Sequence, residues 1–137
     1  MLIHLLMNLS KLEIVTLYSR MDRIDIVECI EYEVREESEN PESYLIHWIA
    51  RCPDHANGCL MFQVVKEACR LHSHYHWHEI MRIGGYSMMV GAVMSQNIKL
   101  LEYAMAYVHD IELERILEDV EFPEVQKWYD ERYVLAT

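Results

Sequence analysis

Apolar residues recur along this chain with the period of a helix. Ile26, Val27, Ile30 and Val34 fall on one face of a segment that Asp22 can cap, while Asp25, Glu28, Glu31, Glu33 and Arg35 fall on the other. Met61, Val64, Val65 and Ala68 repeat the i, i+3, i+4, i+7 spacing, and so do Leu113, Ile116, Leu117 and Val120. Leu100, Leu101, Ala104, Met105 and Val108 form a fourth stripe. Three shorter segments, Ile3 to Met7, Tyr44 to Ala50 and Met88 to Met94, are apolar nearly all round, which only burial between other helices satisfies. Inner and half-exposed helices therefore alternate. The pattern predicts an all-α domain of short helical hairpins.

The breaks between segments carry matching signals. Ser10 and Glu13 form a capping box, and Pro123 suits the first turn of a helix, where a missing amide costs nothing. Cys52 to Gly58 reads as a turn, and Gly84-Gly85 as the C-terminal turn of a helix before Tyr86. Residues 36–42, with Glu36, Glu37, Glu39, Asn40, Pro41 and Glu42, form a polar linker expected to be mobile. Residues 1–137 are read as one domain, with that linker as its internal boundary.

Four segments share a local form: Asn8 to Val15, Asp22 to Glu28, Ser95 to Tyr103 and Glu121 to Trp128. In each, a polar turn precedes an apolar residue or proline, a charged residue, and further apolar residues that lock an outer helix onto an inner one. This form resembles the turn and second helix of ankyrin-type repeats. Tyr86 to Tyr107 matches best, supplying both helices of a repeat. The Thr-Pro-Leu-His start and the Gly-Ala-Asp turn are missing, and the spacing departs from the ~33 residues of regular repeats. Such degenerate repeats are similar to those in multigene families of large DNA viruses, among them African swine fever virus, and in some bacterial effectors. The resemblance implies a degenerate ankyrin-like α-solenoid unit and a host-interaction role in the host cytoplasm.

Composition narrows the functional classes. The 23 acidic and 12 basic residues give a formal charge of −11, the wrong sign for neutralising phosphates, so direct nucleic-acid binding is not expected. An acidic surface suits a basic protein partner, mimicry of a nucleic acid toward an inhibited enzyme, or plain solubility. No apolar run reaches the ~18 to 20 residues of a spanning helix, and Met1 to Leu9 is too short for a signal-peptide core. Cys29, Cys52, Cys59 and Cys69 are expected to be reduced in a cytoplasmic compartment, because 52% apolar residues build a core without staples.

The most unusual local chemistry is Leu71-His72-Ser73-His74-Tyr75-His76-Trp77-His78-Glu79, where four of the eight histidines alternate. Together with Cys52, His55 and Cys69 it yields a Cys-x2-His…Cys-x2-His set of Cys52, His55, Cys69 and His72, the ligand types and spacing of a tetrahedral zinc site. Set against zinc as a cofactor is the simpler reading, favoured here, that Cys69 is a small buried hydrophobe and the histidines a solvated loop. Enzyme motifs are missing. Gly84-Gly85 lacks the rest of a phosphate loop, and after His78-Glu79 the second histidine of a zinc-protease motif is replaced by Arg82. Trp128, Tyr129 and Tyr133 mark a terminal helix that can cap the stack or form a docking or homo-oligomer face. The sequence thus predicts a non-enzymatic protein–protein interaction module, with a zinc-stabilised helical domain and an acidic nucleic-acid mimic as alternatives.

Overall fold

Fourteen residues with three apolar positions on one side form the first of the described helices, because Val27, Ile30 and Val34 need a surface to bury against. The computed structural model describes residues 23–72 and 77–134, with the side chains of residues 23–26 and 72 outside the description. The capping box at Ser10 and Glu13, the inner segment Ile3 to Met7, the cap at Asp22, and His74 and His76 lie outside the described residues. Helices follow in the order α1 (Arg23–Glu36), a 3-10 turn (Pro41–Ser43), α2 (Leu45–Ala50), α3 (His55–His72) and α4 (Trp77–Ser95). They continue with α5 (Ile98–Ala104), α6 (Asp110–Asp119), α7 (Pro123–Tyr129) and a π-helical turn (Asp130–Val134). There is no strand among the described residues.

Helix α2 is buried on every side, as its uniformly apolar sequence requires. It crosses α4 closely: a Cβ placed on Gly91 would stand 2.2 Å from the carbonyl oxygen of His47 and 3.2 Å from the Ala50 Cβ. Only a residue without a side chain permits that approach. Helix α4 is the longest described helix and forms the axis, with α2, α5 and the 3-10 turn against it. Helix α3 packs on α1 and α2 through Met61, Phe62, Val65, Ala68 and Cys69, close to the predicted stripe.

Three expectations change. Gly84 and Gly85 do not end a helix. Both are buried inside α4 with negative φ; a Cβ on Gly85 would press to 3.1 Å from the Tyr107 Cβ, whereas one on Gly84 would meet Ile46 in ordinary contact at 3.4 Å. The turn expected over Cys52 to Gly58 is confined to the residues before His55, where α3 begins. Residues 36–42 form a pinned corner rather than a free linker. The Tyr44 hydroxyl accepts from the Ser38 amide at 2.8 Å, the Trp48 indole donates to the Glu42 carbonyl at 2.8 Å, and the Glu33 carboxylate caps the Leu45 amide at 2.9 Å. Ile30 and Val34, before the corner, share one core with residues as far along as Val125.

Helices α6 and α7 hang more loosely on this core. Leu113 is the fully buried side chain of α6 and Val125 that of α7. Val120, expected on the apolar stripe of α6, lies just past the helix and is 49% exposed. Pro123 occupies the first turn of α7, as predicted. None of the described helices is long and apolar enough to cross a membrane.

Candidate functional site

The α4–α5 turn organises a groove lined by several polar side chains. Helix α4 ends in a Schellman motif, in which the Asn97 amide bonds the Ala92 carbonyl at 2.9 Å and the Gln96 amide bonds the Val93 carbonyl at 3.1 Å. The motif puts Gln96 at φ 56°, a left-handed conformation that usually belongs to glycine. Gln96 has a second role: its Oε1 accepts from the Glu124 amide at 2.8 Å, tying the first turn of α7 to the turn before α5.

Asn97, only 2% exposed, is the hub. Its Oδ1 caps α5 by accepting from the Leu100 amide at 3.3 Å, which fixes the side-chain orientation. Its Nδ2 then faces the His55 carbonyl at 3.4 Å and the Cys59 sulfur at 3.8 Å, both on the first turn of α3. The Ser95 hydroxyl adds a 2.6 Å bond to the Ala50 carbonyl, joining α4 to α2. The result is a groove of about 720 Å³ that brings His55, Cys59, Gln96, Asn97, Lys99 and Glu124 together. A narrower recess of about 280 Å³ shares Cys59 and Lys99 with it and continues along Leu60, Phe62 and Tyr103.

A cysteine, a histidine and an asparagine meet here, but not in the order a hydrolase uses. The His55 Nε2 donates to the Ser95 carbonyl at 2.6 Å, so that nitrogen carries a proton and is committed. Asn97, rather than the imidazole, contacts the thiol. Nucleophile–base–orienter geometry requires the base between the other two.

The four residues read as zinc ligands separate. His55 and Cys69 lie fourteen residues apart on α3, roughly 21 Å along its axis at ~1.5 Å per residue, so one ion cannot join them. Cys52 and Cys69 are both buried. Burial, assisted by the charges of Glu31 and Glu33, pushes the Cys69 thiol up to about 12 and so away from the thiolate a metal needs. The backbone of His72 ends α3, and its side chain lies outside the description. His78 stands on the first turn of α4 with its ring 5.6 Å from that of Tyr107.

A second surface is acidic. Helix α6 carries Asp110, Glu112, Glu114, Glu118 and Asp119 against a single Arg115, and His109 caps it through Nδ1, which accepts from the Ile111 amide at 3.2 Å. Burial, with the nearby carboxylates of Glu114 and Asp110, pushes the Tyr129 phenol up, so the field of α6 reaches α7. Between the two helices lies a recess of about 520 Å³ lined by Leu117, Glu118, Asp119, Val120, Glu121 and Phe122 among others.

The model of a family of unknown function, DUF5903, matches residues 5–130. The chain belongs to that family. Groove, acidic recess and core of this DUF5903 protein all lie within the matched span. Comparison of the DUF5903 chain with curated proteins and with solved structures gave no match.

The polar run Ser95-Gln96-Asn97 marks a turn in the sequence, but carries no sign of the burial of Asn97 or of its contact with Cys59. An asparagine at a helix start signals a cap, not its depth.

Proposed function

We propose that this chain is a non-enzymatic protein–protein interaction module that receives a basic partner segment at the corner between α6 and α7. The observation that carries the reading is the recess of about 520 Å³ where Glu118, Asp119 and Glu121 surround the apolar Val120 and Phe122. A lysine- or arginine-rich segment with one apolar anchor complements it in both charge and shape. In this reading α4 and α5 form a degenerate ankyrin-like hairpin joined at Asn97, a proposal supported by the turn-and-outer-helix form of Ser95 to Tyr103.

Selection from a displayed random-peptide library tests it. Basic peptides with an apolar residue should be enriched, their binding should weaken steeply with salt, and the E118K/D119K variant should lose them. Enrichment independent of peptide charge, or binding unchanged in that variant, overturns the reading.

A further inference from the structure

The four thiols occupy different environments, and none is in a disulfide. Cys52 and Cys69 are buried in the core. Cys29 lies 3.7 Å from a Glu33 carboxylate oxygen, and burial together with that negative neighbour pushes its thiol up to about 12. Cys59 differs from all three. It is half-buried, as Cys29 is, but it lines both the polar groove and its apolar continuation.

The groove accommodates either form of this sulfur. As a thiol, Cys59 donates to the Asn97 Oδ1 at 3.9 Å, and as a thiolate it accepts from the Asn97 Nδ2 at 3.8 Å. Asn97 needs no rearrangement for the exchange, because the Leu100 amide and the His55 carbonyl hold its two ends. The charged groups at the rim have opposite signs: the exposed Lys99 ammonium comes from α5 and the exposed Glu124 carboxylate from α7. A ligand offering both a carboxylate and an ammonium group meets a partner for each.

We propose that Cys59 is a site of reversible thiol–disulfide exchange with a small peptidic disulfide that bears carboxylate and ammonium groups and seats against Lys99 and Glu124. The Cys59 thiol first gives its proton to solvent. Its thiolate attacks one sulfur of the ligand, so a new bond to Sγ forms as the ligand's own S–S bond breaks, and the other half departs as a thiolate that takes up a proton. Cys59 is oxidised to a mixed disulfide and the departing half is reduced to a thiol, so no further oxidant enters. The acidic corner plays no part in this step, and either proposal can fail without the other.

Oxidised glutathione is the probe, with bis(2-hydroxyethyl) disulfide as an uncharged comparison, each added to the folded, reduced full chain under conditions where circular dichroism stays unchanged. Intact mass and peptide mapping should show one glutathionyl group, on Cys59, and none in C59S. K99Q and E124Q should each slow the glutathione reaction several-fold and leave the rate with the uncharged disulfide unchanged. Faster modification of Cys29, uniform modification of all four thiols, or equal effects of K99Q and E124Q on both probes would each overturn the proposal.

Discussion

Glu33 offers a quantitative test of how α1 is joined to α2. Its carboxylate accepts from the Leu45 amide at 2.9 and 3.1 Å through its two oxygens, supplying the cap that Tyr44 does not provide. Burial raises this carboxyl from 4.5 to about 7, against the opposing pull of the Leu45 amide and the Cys29 thiol. A raised folded-state value means that the native protein holds a proton the unfolded chain has already lost. The contribution is fully present below pH 4.5 and is lost as pH rises through 7. The gap of about 2.5 pH units, at ~1.4 kcal/mol each, is worth about 3.5 kcal/mol at most, and about 2 kcal/mol once partial water contact is allowed for. Glu33→Gln keeps an oxygen for Leu45 and removes the titration. Urea unfolding of both proteins from pH 4.5 to 8 should therefore show E33Q gaining about 2 kcal/mol on the wild type across that window, the other carboxylates cancelling in the difference. Parallel stability profiles for the two proteins would refute the reasoning.

Three further substitutions probe the core. His47 is fully buried, with Nδ1 donating to the Ser87 carbonyl at 3.1 Å and Nε2 without a hydrogen-bond partner among the described residues. Burial holds its pKa below the usual 6.5, so stability is present above that value and falls as the pH drops below it. His47→Leu should flatten that acid limb in thermal melts, and an unchanged limb would show that other groups cause it. Gly91→Ala should cost about 3 kcal/mol or prevent folding, since its Cβ would overlap the His47 carbonyl. Gly84→Ala meets only the Ile46 side chain at 3.4 Å and should be neutral or gain up to ~1 kcal/mol from helix propensity. Equal melting shifts for the two alanine variants would contradict the packing of α2 on α4.

What the sequence made legible were features with a local cause. Helix α2 announced itself because an apolar segment without a polar face has no alternative to burial, and Pro123 because its ring suits a first turn. Gly84-Gly85 misled because the freedom that marks glycine as a turn residue is indistinguishable, in one dimension, from the lack of bulk that lets helices approach. The polar run at 36–42 looked like a linker because the groups that pin it, Glu33, Tyr44 and Trp48, lie outside the run. The Cys-x2-His spacings were real, yet α3 carries His55 and Cys69 at its opposite ends. The groove went unread for a related reason. Cys59 and Asn97 are 38 positions apart, and only the crossing of α3 with the α4–α5 turn makes them neighbours.

The six residues of α2 bear on how this fold assembles. A helix of that length is well below the ~12 to 15 residues at which an isolated helix becomes even marginal in water. Leu45 to Ala50 can therefore become helical only as α3, α4 and the Glu33 cap close around them. Loop-closure entropy for contacts as distant as His47 with Ser87, 40 residues apart, must be met in the same event that forms α2. Assembly is then all-or-none for the centre of the chain, while α6, held chiefly by Leu113, can detach and reattach without disturbing it.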